Sequence, residues 1–402
     1  MSTAWPKLRL GDVAVPVERA EVPLPGKIYR QIGVRLWGEG AYERESIDGA
    51  QTKYAQLYRA EADDIIVNKI WARNGSVAVV SEELDGCFGS GEFPMFSPDK
   101  TKLLPRWMHW ITKTKRFWSQ CDEKSQGTSG KNRIKPERFL SVEIPLPPLS
   151  EQQRIVTRID ALATYISNAI ILRREANTET ERLYCRQLAE VITHHKQGWK
   201  RDIVGNLVIS MDAGWSPQCD DVPAIEGQWG VLKTTAVQFC EFRPYENKAL
   251  PSVLEPIPKL AVKEGDVLVT RAGPRKRVGI VAAVRRDEPH LTISDKIIRV
   301  RTDRTKIEPR FLELSLSSPY SQDHVMQRKT GLADAQVNIS QEILRTTPVA
   351  YPPLPEQRRI VATLDAFQEK LNVLKNMQSE TAAELDALLP AILDRAFKGE
   401  LL

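Results

Sequence analysis

No run of eighteen apolar residues interrupts this chain, so on that criterion nothing in it is expected to cross a membrane. The N-terminus has neither a basic stretch nor an apolar stretch behind it, so no secretory signal is expected. The five cysteines (Cys87, Cys121, Cys185, Cys219 and Cys240) are odd in number, scattered and never spaced Cys-x-x-Cys; this fits reduced thiols in a cytoplasm. Histidine, also five residues, is equally scarce. His194 and His195 are adjacent rather than four apart, which argues for a solvated helix end and against a zinc site. Catalytic motifs are also missing. The double prolines read Leu146-Pro147-Pro148-Leu149 and Tyr351-Pro352-Pro353-Leu354. Neither has the leading amide or acid with which an adenine methyltransferase grips a flipped base. Phe88-Gly89-Ser90-Gly91 has the wrong spacing for a cofactor loop. The glycines around Arg275-Lys276-Arg277 lack the Gly-Lys-Ser/Thr of a P-loop.

What the chain does contain is one stretch written twice. Pro147-Pro148-Leu149-Ser150-Glu151-Gln152-Gln153-Arg154-Ile155-Val156 returns as Pro352-Pro353-Leu354-Pro355-Glu356-Gln357-Arg358-Arg359-Ile360-Val361, at an offset of 205 residues. Extended to Ala161 and Ala366, the copies agree at ten of fifteen positions without a gap. One long repeat, with no third copy, means two similar units in one chain. The prolines stop a strand and precede a helix. Ser150 offers an N-cap oxygen with Gln153 at the capping-box position, and Pro355 suits a first helical turn.

Beyond each repeat, apolar residues step mainly by four and three, the spacing of a coiled-coil seam. The first copy supplies Ile155, Ile159, Leu162 and Ile166, and the second Ile360, Leu364, Phe367, Leu371 and Leu374. Gln378 and Thr381 continue the second stripe as expected buried polar positions. Each helix should run roughly 35 residues, about 50 Å. A helix with so narrow a stripe is not stable alone in water, and its repeat mate, antiparallel, is the natural partner.

The regions before the helices share a framework. Asp64-Ile65-Ile66-Val67 and Asp266-Val267-Leu268-Val269 are matching strands at an offset of 202, each followed by a second apolar run. The expected fold is mixed α/β: two similar globular modules and two long antiparallel coiled-coil helices. The expected segments are residues 1–149 and 196–355 for the modules, and 150–195 and 356–402 for the helices. Positive charge favours the modules. Residues 100–138 hold eleven Lys/Arg against three Asp/Glu, and residues 261–310 hold thirteen against seven, whereas from residue 356 onward eight acids outnumber six bases. That pattern suits a polyanion-binding surface on each module.

The twin Pro-Pro-Leu-x-Glu-Gln-x-Arg-Ile-Val blocks, with the closing Ile392-Leu393-Asp394-Arg395-Ala396-Phe397-Lys398-Gly399, resemble the specificity (S) subunits of type I DNA restriction-modification systems over the whole length. The resemblance implies two target recognition domains on spacer helices that dock two methyltransferase (M) subunits and, for cleavage, restriction-translocase (R) subunits. It implies double-stranded DNA as ligand and no catalytic centre in this chain. Two modules with unlike turn residues on one spacer predict a bipartite asymmetric site; no metal is expected, and the cysteines fit a cytoplasmic location. S-adenosylmethionine, ATP and Mg would belong to the partners.

The DNA contacts expected from the turns are Lys69, Arg73, Asn74, Lys131, Asn132 and Arg133 in the first module. In the second they are Arg271, Arg275, Lys276, Arg277 and Lys329. Arg and Asn can read guanine and adenine bidentately, while Lys mostly meets phosphate. A coiled-coil adaptor without a nucleic-acid role, and a nuclease or methyltransferase with degenerate motifs acting alone, remain the alternatives.

Overall fold

The structure, a computed structural model, describes residues 5–127, 132–192 and 197–401, with only the backbone of Leu332 and Ala333. Lys131, His194 and His195 lie outside the described residues. The chain divides into two compact units. One is Met1–Arg174 with Ser379–Leu402, and the other is Glu175–Gln378. These units cut across the four consecutive segments suggested by the sequence, because each contains parts of both long helices.

Each unit is built on a four-stranded antiparallel sheet with the same strand order. In the first unit the order is Ala14–Val17, Met95–Pro98, Ile65–Val67, Val77–Val79. In the second it is Val208–Ala213, Ile297–Thr302, Asp266–Thr270, Val281–Ala283. The third strand of each order is the β-branched run read from sequence, and all its residues are buried. A continuous apolar run, rather than an alternating one, is what a strand covered on both faces requires.

The acid at the head of each such run is buried and paired. Asp64 meets Arg19 at 2.6 Å and accepts from Glu61 N at 2.9 Å. Asp266 meets Arg301 at 2.8 Å and accepts from Lys263 N at 3.0 Å. A two-stranded ribbon closes each unit, Lys7–Arg9 with Glu143–Pro145 and Lys200–Ile203 with Pro348–Tyr351. Two helices follow the sheet in each, Pro105–Ile111 and Lys115–Glu123, then Pro309–Ser317 and Pro319–Gln327. The additions differ: a five-stranded sheet that includes Ile28–Val34 and Ala41–Asp48 in the first unit, and a four-stranded one centred on Gly230–Leu232 and Glu288–Thr292 in the second.

The long helices are Leu149–Val191 and Leu354–Lys398, of 43 and 45 residues, both longer than the sequence pattern suggests. The second runs on through Pro390. Ser150 lies inside the first helix rather than at its N-cap; Pro148 O instead accepts from Glu151 N and Gln152 N. The first unit's core joins Ile155, Val156 and Ile159 to Leu393, Ala396 and Phe397. Trp107 packs edge-on against Phe397 at 4.9 Å, and Trp5 Nε1 donates to Ala396 O at 3.1 Å. The second unit's core joins Ile360, Leu364 and Leu371 to Tyr184, Leu188 and Ile192. Tyr184 stacks on Phe367 at 6.5 Å while Lys375 reaches Glu181 at 3.5 Å, so the two helical stretches of this unit are antiparallel.

The predicted seam is buried where a module backs it and fades elsewhere. Leu162, Ile166 and Phe367 are half-buried, Gln378 is half-buried, and Leu374 and Thr381 are exposed. A strict seven-residue stripe drifts about 20° per heptad on a straight α-helix. Leu374, two heptads beyond Ile360, has therefore rotated outward.

The first helix is long and apolar by composition alone, and much of its apolar stretch is not buried. Tyr165, Ile171 and Leu172 are exposed on this helix, as are Val373 and Met377 on the second.

Candidate nucleic-acid interface

The repeated block fixes each module to its own helix through a buried amide. Gln152 Nε2 donates to Lys102 O at 2.7 Å and Pro147 O at 2.8 Å, and its Oε1 accepts from Leu104 N at 2.9 Å. Gln357 does the same with Lys306 O at 2.9 Å, Pro352 O at 2.8 Å and Glu308 N at 2.9 Å. Both side chains are fully buried. A second tie lies two turns on, where Arg106 pairs with Asp160 at 2.8 Å and Arg310 with Asp365 at 2.7 Å. Trp110 Nε1 also donates to Asp160, at 2.8 Å. Burial acts against the Asp365 carboxylate, yet Arg285 and Arg310 hold it below its ordinary range. These glutamines and aspartates are identical in the two copies, and that identity was the signal that could have revealed their role.

Arg73 and Asn74 in the first module, and Arg275, Lys276 and Arg277 in the second, fall on equivalent short 3-10 turns, Ala72–Asn74 and Arg275–Arg277. In the first, the turn is joined to the loop after the second module helix. Ile134 N donates to Lys69 O at 2.9 Å, Lys69 N to Glu92 O at 3.1 Å, and Arg133 pairs with Glu92 at 3.3 Å. Gln126 and Arg133 form a β-bridge that closes this loop, with Asn132 half-buried beside it. Lys69, Arg73, Asn74, Asn132 and Arg133 are thus on two loops held together by backbone bonds. In the second module Ala272–Gly273, Gln336–Asn338 and Thr330–Ala333 form a small antiparallel sheet that performs the same joining. Arg271 takes part through its backbone, accepting from Ile339 N at 3.0 Å and donating to Lys296 O at 2.7 Å.

The second cluster is not uniformly available. Arg277 donates to Gln238 Oε1 at 2.8 Å, Thr234 O at 2.7 Å and Val237 O at 2.9 Å. Burial, with Arg243 nearby, lowers its pKa. It braces the 234–238 segment, whose three backbone and amide acceptors hold its planar fork and leave it less free for DNA than its neighbour Lys276. Lys329 Nζ donates to Arg275 O at 3.0 Å, and burial together with Arg275 lowers its pKa. Arg275 pairs with Asp334 at 2.7 Å, an exposed contact that DNA phosphate could displace. Lys276 is exposed. Two exposed aromatics on the first module's face, Trp37 and Trp71, were not among the expected contacts. Among the described residues no group of three or more His, Cys, Asp or Glu is placed to hold a metal ion.

Two modules of one framework, each presenting a differently charged pair of loops and each locked to a long helix, define a two-site recognition scaffold. The profile of the type I restriction modification DNA specificity domain matches residues 3–177 and 234–383, and the chain belongs to that family. It is 29% identical to the type I restriction enzyme EcoEI specificity subunit of Escherichia coli, across 98% of this chain and 81% of that one. Among solved structures it resembles a chain from work on complex assembly and conformational transition of the type I R-M system. That match has a TM-score of 0.75 and 25% identity, over 99% of this chain and 98% of the other. The HsdS subunit of Thermoanaerobacter tengcongensis matches with a TM-score of 0.59 and 26% identity, over 100% and 98%.

Proposed function

We propose that this chain is the DNA-recognition subunit of a type I restriction-modification complex and has no catalytic turnover of its own. Its two modules read the two blocks of a bipartite, asymmetric site in double-stranded DNA, and the DNA between the blocks is spanned without being read. The observation that carries this reading is the pairing of one repeated framework with unlike chemistry on equivalent turns, Arg73 and Asn74 in one module and Arg275 and Lys276 in the other. Unlike side chains on matched positions select unlike bases, so the site is not a palindrome.

The long helices carry the methyltransferase subunits. The seam residues Leu364 and Leu371 are already buried in the second unit's core, so they hold the fold and leave docking to other positions. The exposed apolar residues Tyr165, Ile171 and Leu172 of the first helix are the docking surface. Restriction subunits join for cleavage, and S-adenosylmethionine, ATP and Mg act on the partners, in the cytoplasm.

Methylome sequencing of cells with and without the gene tests this. The expected result is one bipartite motif that disappears with the gene. A continuous or palindromic motif, or methyl transfer by the purified chain without M subunits, contradicts it.

A further inference from the structure

We propose that Trp37 is a wedge that the first module presses against a base step of its half-site. The proposal rests on the specificity reading above and adds a residue that reads the deformability of the duplex. Trp37 lies in the tight turn between the strands Ile28–Val34 and Ala41–Asp48 and is 58% exposed. A single exposed aromatic is ordinary. This one is not, because its backbone sits at φ 59°, a left-handed conformation that is unfavourable for a bulky side chain.

The surroundings enforce that conformation. Trp37 N donates to Asn74 O at 2.7 Å and Gly38 N to Gly75 O at 3.1 Å. Lys113 Nζ donates to Gly38 O at 2.7 Å. Gly38, itself at φ 70°, cannot carry a Cβ without meeting Lys113 Cα at 2.9 Å. The indole leans edge-on against Trp118 at 6.0 Å and leaves its other surface open. An indole held in a costly conformation, with one side braced and the other exposed, is preorganised to push on something.

What it meets follows from its anchor. The turn is bonded to the Ala72–Asn74 segment that carries Arg73 and Asn74. On the same segment Trp71, 44% exposed, lies under the Arg73 guanidinium at 6.0 Å. Glu39 is the one acid of the turn, and the cation Lys113 is bonded next to it, at Gly38 O. Aromatic rings interleaved with cations match stacked bases flanked by phosphates. An apolar wedge at a base step trades unstacking against added contact, so it favours steps that open easily.

The test uses the full chain assembled with its methyltransferase subunits and duplexes carrying the site found in cells. Trp37→Asn removes the ring while tolerating the left-handed backbone, and Trp37→Phe keeps a ring. Methyl-transfer kcat/KM is measured on intact duplex and on duplexes with a mismatch at each step in and beside the first block. W37N is expected to lose about tenfold or more on intact duplex. It should recover when one particular step is already opened, while W37F stays near wild type. Equal rates for W37N and wild type overturn the proposal, as does a loss that W37F shares or that no mismatch restores. Release of methyltransferase subunits by W37N assigns the ring to a protein contact and also overturns it. A wild-type complex with no specific site removes the specificity reading itself, an outcome distinct from all of these.

Discussion

At the scale of single residues, the chain repeats its anchors and varies its contacts. Gln152 and Gln357 satisfy two carbonyls and one amide each in a buried place. Gln357→Leu keeps the volume and orphans all three, at a cost on the order of 2–5 kcal/mol. Scanning calorimetry should show a lower-melting transition, whereas Gln153→Leu, on the exposed side one residue further along the first helix, should change little. The neighbours Lys276 and Arg277 should behave oppositely. Lys276→Ala leaves melting unchanged and lowers the slope of log affinity against log salt by about one. Arg277→Ala strands three acceptors and destabilises the second module.

His109 adds a pH dependence. Burial, then Lys113 and Arg106, hold its pKa down to about 3 against an opposing pull from Asp160. An unfolded imidazole titrates near 6.5. Between those values the unfolded chain binds the extra proton, so this group's contribution to stability falls as pH drops below about 6.5. His109→Gln lacks that proton, so its melting temperature should gain on wild type as pH is lowered from about 7 to about 5. A constant difference across that range would show that His109 is not held neutral.

At the scale of elements, the helices contain two kinds of apolar residue that sequence spacing does not separate. Leu364 is fully buried in the second unit's core beside Phe311, while Ile171 and Leu172 are exposed. Leu364→Asp puts a charge into a closed apolar site and should destabilise the unit by several kcal/mol, so that little folded protein is recovered. That burial makes the variant a test of folding rather than of partner docking. The double variant Ile171→Asp with Leu172→Asp adds charge at exposed positions and should leave melting nearly unchanged while reducing co-purification of methyltransferase subunits. Normal stoichiometry in that variant would move the docking surface elsewhere.

At the scale of the whole molecule, each compact unit combines a module, the start of the helix that follows it and the end of the other helix. The division falls at Arg174 and Gln378, inside both helices. Inserting four residues, about one helical turn, at both of these points should change the gap in the methylated motif and keep both blocks. Exchanging residues 1–149 for those of a relative should change one block only. A half-exchange that altered both blocks, or an insertion that altered either, would contradict independent reading by two modules.

By itself the sequence determined the duplication, the strand framework and the two long helices. These depend on local periodicity and on prolines whose effect is carried by their own backbone. It also placed Arg73, Asn74, Arg275 and Lys276 on turns, since the flanking strands end there. Only the tertiary structure decided which cations are available. Arg277 and Lys276 are neighbours with the same charge, and what separates them is a segment some forty residues away that takes up Arg277's fork. Tertiary contacts likewise decided where the seam is buried, because burial at Leu364 and exposure at Leu374 depend on helix drift and on the module behind each position. They also decided that Trp37 stands outward on a left-handed backbone, a conformation that its own side chain disfavours and that bonds from the Asn74 loop impose.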